Sequence, residues 1–319
     1  MKKFAYVTAA TIDEVIPLLD RGTLPLAGGT DLVPALKDQL ASPDRLVSLR
    51  GLGLRGVAVR GDELHIGALT TLTDLERDPR LRDGPCRALA LAAHSAASPQ
   101  LRNVATIGGN LLQDVRCWYY RGPFDCWLKG GEECYARAGE HHLHALFQQS
   151  QCIAPHPSDP ATALLALGAT VGLSGPDGER SVDLLELLAP PTGERRKLNT
   201  LGQSELITGI TLPAHVGWRS IYQKAMERAV YAFALASVAA AVRLEHGSVA
   251  EARIALGGVA NTPLLAEDAA ASLIGKPLID ESIAAAAALA ARGAQPLPQT
   301  AYKQELVMRL VCAALMELS

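Results

Sequence analysis

The chain is poor in aromatic residues: Phe, Trp and Tyr supply 4% of its 319 positions, and much of the 49% hydrophobic content is Ala, Leu and Val. Charge of either sign is not in excess. Thirty basic and 33 acidic side chains leave a formal −3, without the basic block that a phosphate backbone would require, which argues against nucleic-acid binding. No apolar run is long enough to span a bilayer. The longest, such as Ile283 to Ala291, are Ala-rich and read as core-facing helices. The opening Met1-Lys2-Lys3-Phe4-Ala5-Tyr6 has no apolar core and no small-residue cleavage site, so no secretory signal is read there and a cytoplasmic location is the default. Six cysteines are too few for a disulfide scaffold in a chain of this length. Rossmann and Walker fingerprints, internal repeats and low-complexity tails are all missing.

What is present suits two domains, each with its own core. The first fifty residues read as α/β. Thr11 to Leu19 fits a helix capped by Thr11, with Glu14 completing a capping box. A buried strand Leu24–Ala27 leads into Gly28-Gly29 and a helix from Asp31 to Gln39, and Arg45–Leu49 is another strand. Short strands follow at Gly56–Val59 and Leu64–Ala68, then helices at Thr73–Glu76 and Cys86–Ser95. Later come a helix at Asp159–Leu167 and strands at Thr170–Leu173 and Glu205–Leu212. A change of character near Ala214 to Gly217 divides residues 1–214 from 215–319. The second part holds Ile221–Lys224, an apolar stretch from Tyr231 to Val242, Ala252–Leu256 and three helices, the last ending near Leu318.

Two glycine pairs and four cysteines carry the chemistry. In Leu26-Ala27-Gly28-Gly29-Thr30-Asp31-Leu32, a strand–glycine–helix passage sets backbone N–H groups at a helix start, where glycine lets a pyrophosphate approach and the helix dipole favours its charge. A plain turn explains the same residues. The second pair, Thr106-Ile107-Gly108-Gly109-Asn110, reads alternatively as a hairpin bend. Beyond it, Gln113 to Gln151 loses all periodicity, and a structureless loop of roughly forty residues needs something to organise it. Cys117, Cys126, Cys134 and Cys152 lie in or just beyond that stretch, spaced C-x8-C-x7-C-x17-C. The tight C-x2-C pairs of zinc ribbons are missing, and four thiolates in a Gly-rich, aromatic-flanked loop suit a [4Fe–4S] cluster. The spacing alone leaves the metal open. His141, His142, His144 and His156 are alternative zinc ligands or solvated surface. Cys86 and Cys312 sit in Ala/Leu-rich surroundings and read as buried small hydrophobes. Asp159 is either a helix cap or a carboxylate receiving a ribose or ring donor, and Lys224 either a solvated lysine or an electrostatic partner of a flavin.

These residues resemble the flavin-binding medium subunit of the molybdenum hydroxylases, the xanthine dehydrogenase and carbon monoxide dehydrogenase family. The resemblance runs over essentially the whole chain, on Ala27-Gly28-Gly29-Thr30-Asp31-Leu32, Thr106-Ile107-Gly108-Gly109-Asn110-Leu111, Ser158-Asp159, Glu205-Leu206-Ile207 and Ala255-Leu256-Gly257-Gly258-Val259-Ala260. Most members lack the cysteine loop. The stretches Gln100 to Thr106, Gly109 to Gln113, Arg116-Cys117 and Tyr231 to Leu235 look most like members that have it, the periplasmic aldehyde oxidoreductase type, with the β subunit of 4-hydroxybenzoyl-CoA reductase as the alternative.

The resemblance implies an α+β fold: a two-subdomain FAD-binding domain of the vanillyl-alcohol oxidase or PCMH type, then a smaller α+β domain. Carried onto matching positions, FAD is held by Leu26, Ala27, Gly28, Gly29, Thr30, Asp31, Leu32, Val33, Pro34, Thr106, Gly108, Gly109 and Asn110. Asp159, Ile207 and Lys224 also contact it, and the four cysteines bind the cluster. The implied partners are a large molybdenum-cofactor subunit, where the substrate is oxidised, and a small [2Fe–2S] subunit that passes electrons on. Co-export with a signal-bearing partner is then an alternative to the cytoplasm. A reductase of the same class runs electrons the other way. A zinc-stabilised interaction module and a free-standing flavin oxidase are the other classes, the latter disfavoured because the C-terminal domain has no acid–base cluster.

Overall fold

A computed structural model describes all 319 residues. Short strands β1 (Ala5–Thr8), β2 (Thr23–Leu26) and β3 (Arg45–Ser48) form a parallel sheet in the order β1-β3-β2. Thr11 caps the helical turn Ile12–Val15, its hydroxyl accepting from the Glu14 amide at 3.2 Å. The Glu14 carboxylate reaches back to the Ala10 amide rather than to Thr11, and the helix gives way to a 3-10 turn at Ile16–Leu18 where Pro17 removes a donor.

Five strands make a second, antiparallel sheet: β4 (Val57–Arg60), β5 (Glu63–Gly67), β6 (Thr170–Gly175), β7 (Gly178–Asp183) and β8 (Leu206–Leu212), ordered β4-β5-β8-β6-β7. Helices Arg87–Ser95 and Asp159–Ala166 contribute to the large core it shares.

The C-terminal sheet is formed by β9 (Trp218–Ala225), β10 (Ala236–Glu245), β11 (Ser248–Gly257) and β12 (Leu264–Leu265), in the order β12-β11-β10-β9. Both of its faces are covered. Along β10, Ala239 and Ala241 enter the large core of the first domain, whereas Val238, Ala240 and Val242 join a separate core with helices Glu267–Leu273, Asp280–Ala290 and Tyr302–Leu318. A sheet buried on both sides needs apolar residues at consecutive positions, which accounts for the unbroken run that ends at Val242. No helix is long and apolar enough to cross a membrane.

The segment from Gln113 to Gln151 is organised. It contains the helical turn Trp118–Arg121 and 3-10 turns at Trp127–Lys129 and Tyr135–Arg137. Val115, Cys126, Trp127, Leu128, Cys152 and Ala154 build a small core of their own with Leu198.

Candidate functional site

The two glycine turns meet back to back. A Cβ on Gly28 would overlap the Val104 carbonyl oxygen, so glycine there is required by the close approach of the second segment. Gly29 adopts φ +74°, a left-handed conformation that a side chain would strain. From Leu26 to Leu32 the chain is half-exposed, and Val33 and Pro34 are exposed at the start of helix Leu32–Lys37. The second pair is not a hairpin bend. Thr106 caps the short helix Ile107–Leu111, its hydroxyl accepting from the Gly109 amide at 3.3 Å, and Gly108 packs on Ala68.

Beside these turns lies a cavity of about 670 Å³ with walls from both domains, within the roughly 300–1,000 Å³ of small-molecule and cofactor pockets. Of the residues expected to hold a flavin, Thr30, Pro34, Asn110 and Asp159 line it. Arg116, Arg121, Trp118, His144, His156 and Phe233 line it too, and none was singled out from sequence as a flavin residue. The pair Arg116-Cys117 carried the available signal for the arginines, a cation next to a loop cysteine.

Several candidate side chains are committed to protein partners. Asp31 accepts from the Asp114 amide at 2.8 Å, from Arg116, and from Arg121 at 2.9 Å. Burial pushes its carboxyl up, yet the Arg116 charge and these bonds together hold it below the usual range. Asn110 accepts from the Ser158 hydroxyl at 2.6 Å, joining the second glycine turn to helix Asp159–Ala166. Ser158, not Asp159, caps that helix. The Asp159 carboxylate instead accepts from the Tyr222 hydroxyl at 2.6 Å and from Lys224 at 2.8 Å, and Lys224 also donates to the Ser95 carbonyl at 3.0 Å. Lys224 is therefore neither solvated nor free to meet a ring. It lies outside the cavity lining and acts there only through Asp159, whose carboxyl is raised by burial against the pull of the lysine. Ile207 is buried in the large core and leaves only its backbone for any ligand.

All four loop cysteines line one small apolar pocket with Tyr119, Tyr120 and Trp127. Burial pushes Cys117 up to about 11 and Cys152 up to about 12, and neighbouring thiols add to both shifts. Such thiols stay protonated at neutral pH unless a cationic centre holds them as thiolates. No three His, Cys, Asp or Glu side chains are grouped to hold a single ion. His141, His144 and His156 are buried rather than solvated, and His144 and His156 are held down to about 4 by that burial. Cys86 is buried as expected, whereas Cys312 is half-buried on the last helix.

The cysteine loop is clamped from both domains. Arg196 donates to the carbonyls of Trp127 at 2.8 Å and Gly131 at 2.7 Å while its guanidinium lies 5.0 Å from the Trp127 ring. From the C-terminal domain, Asn261 donates to the carbonyls of Cys152 and Ala154, and fully buried Lys303 to those of Leu143 and Gly258.

Residues 2–215 match the family described as the FAD binding domain in molybdopterin dehydrogenase. The chain belongs to that family. Residues 221–318 match the CO dehydrogenase flavoprotein C-terminal domain. The chain is 37% identical to the aldehyde oxidoreductase FAD-binding subunit of Escherichia coli, over 99% of this chain and 98% of that one. It is 28% identical to the carbon monoxide dehydrogenase medium chain of Afipia carboxidovorans, over 95% and 92% of the two. Among solved structures, a carbon monoxide dehydrogenase from Hydrogenophaga pseudoflava superposes with a TM-score of 0.77 at 28% identity, covering 98% of this chain and 96% of that one. This flavoprotein is thus the FAD-binding medium subunit of a molybdenum hydroxylase, an oxidoreductase complex.

The residues present fit the flavin. Glycine at a positive φ, half-exposed backbone along the first turn and a two-domain cavity give a dinucleotide both approach and room. The buried Arg116 Nε has no partner in the protein, which leaves a donor for a bound ligand.

Proposed function

We propose that this chain is the FAD and [4Fe–4S] electron-transfer subunit of an aldehyde-oxidising molybdenum hydroxylase. The observation that carries the reading is the convergence of Cys117, Cys126, Cys134 and Cys152 on one small apolar pocket beside the flavin cavity. A tetrahedral zinc would hold its sulfurs about 3.8 Å apart, from a metal–sulfur distance of 2.3 Å. A cubane cluster needs them farther apart, and a centre of either kind would draw on the same four thiols, which share one apolar pocket.

FAD is held by the Leu26 to Pro34 turn and by Thr106, Gly108, Gly109 and Asn110, with the pyrophosphate against the glycines. Asp159 faces it at the cavity wall, Lys224 fixes Asp159, and Ile207 contributes backbone. When bound, the flavin exchanges single electrons with one-electron centres and pairs with a terminal acceptor. The chain's own residues orient it, exclude water and fix nearby charge. Aldehyde as substrate class rests on the Escherichia coli relative, and oxidation takes place on a large molybdenum-cofactor subunit, with a small [2Fe–2S] subunit delivering electrons. The test is metal analysis of anaerobically purified protein. The reading expects about four iron and about four acid-labile sulfide for each FAD, and stoichiometric zinc without sulfide would overturn it.

A further inference from the structure

The flavin cavity and the cysteine pocket have one lining residue in common, Cys117. This residue borders both spaces. Among the four loop cysteines, it is also the one whose sulfur meets a side-chain nitrogen: His144 Nε2 lies 3.2 Å away. Cys152, by comparison, receives only the Ala154 amide, at 3.4 Å.

His144 is placed with care for a residue in a loop. It is 2% exposed, and its ring stands edge-on to Trp118 at 5.1 Å and 84°. Its amide donates to the His141 carbonyl at 2.8 Å, and the adjoining Leu143 carbonyl is held by Lys303 at 3.1 Å. Nδ1 has no partner in the protein. A thiolate only accepts, so the Nε2 that faces it carries a proton and donates to sulfur.

We infer that His144 is a positioning and tuning residue for the iron–sulfur centre: its Nε2–H donates to the Cys117 thiolate and raises the cluster's reduction potential. This inference rests on the cysteine pocket holding a [4Fe–4S] cluster. Adding one electron to the cluster places more negative charge on its sulfurs. An N–H aimed at one of them stabilises the reduced form more than the oxidised one, and hydrogen bonds to sulfur are among the factors that set such potentials. Cys117 is the one of the four that also lines the flavin cavity, so the donor acts on the ligand that borders both sites.

The experiment uses the full chain loaded with both cofactors, with His144→Leu to remove the donor and His144→Gln to keep one. Each protein is titrated anaerobically with dithionite while the reduced cluster is followed by electron paramagnetic resonance, and FAD content is measured alongside. Expected is a cluster potential that moves negative in His144→Leu and returns most of the way in His144→Gln, each compared on chains that carry FAD, because His144 also lines the flavin cavity. An unshifted potential in His144→Leu would overturn the inference while leaving the cluster assignment standing. So would equal shifts, or equal loss of the cluster, in the two variants, since either would make the histidine a packing element or a ligand. Absence of an iron–sulfur signal from the unmodified chain would overturn the cluster assignment itself, and this inference with it.

Discussion

Asp31, on the first glycine turn, accepts a hydrogen bond at 2.9 Å from Arg121, at the end of the first helical turn of the cysteine loop. With Arg116 on the same carboxylate oxygen, the ion pairs tie the first glycine turn to the segment that begins the cysteine pocket. A change at one site is therefore felt at the other. Asp31→Ala leaves two part-buried guanidinium groups without their carboxylate, costing about 1–3 kcal/mol. The variant is expected to lose FAD and to be cleaved faster between Gln113 and Gln151. Flavin absorbance per chain and limited proteolysis measure both, and normal values for both would show the tie to be dispensable.

Gly29→Val is expected to abolish FAD binding while sparing iron. Its φ of +74° strains any branched side chain, and a Cβ would sit 3.2 Å from Leu26 and 3.3 Å from Val33. The strain is about 1–3 kcal/mol and falls on the turn proposed to meet the pyrophosphate. Stoichiometric FAD in the folded variant would refute that placement.

Cys126→Ser or Cys134→Ser should empty the pocket of iron and expose the loop to protease, because metal binding contributes to the loop's folding. Cys86→Ser and Cys312→Ser should leave iron content as it is, since neither residue lines the pocket. Iron loss from either of these two controls would mean that the ligand set is wrong.

The glycine turns and the cysteine cluster were legible because each is a local pattern in which a few residue types do one thing. Strand β7 was not. Its Gly178-Glu179-Arg180-Ser181-Val182-Asp183 is a polar edge strand with only one inward apolar residue, so no alternation marks it. The extent of β10 was hidden for the opposite reason, since burial on both faces erases period two. Lys224 and Asp159 are 65 positions apart on different domains, and only the folded chain brings them together. The clamp by Arg196 was equally invisible, because an arginine in a Pro/Gly-containing loop reads as solvated until Trp127 arrives beneath it.

Lys303 makes a pH prediction. Burial lowers its ammonium to about 7, against about 10.4 in an unfolded chain. Between those values the unfolded chain binds more protons, so the contribution of Lys303 to stability rises as pH rises from 7 towards 10. Wild type should gain about 2 kcal/mol relative to Lys303→Met between pH 7 and pH 9. The raised thiols are common to both proteins and cancel in the difference. Urea unfolding of the two at both pH values measures it, and parallel curves would contradict a buried, depressed lysine.

The central claim is a division of labour: this chain carries electrons and a partner oxidises the substrate. On the proposed reading, the purified subunit, verified free of molybdenum, should bind FAD yet leave aldehydes untouched. The direct measurement is flavin absorbance under anaerobic conditions as aromatic and aliphatic aldehydes are added. The account predicts no bleaching until the cognate large and small subunits are supplied, and reduction of the flavin once they are. Bleaching by any aldehyde without partners would contradict it and make the chain a self-sufficient oxidase.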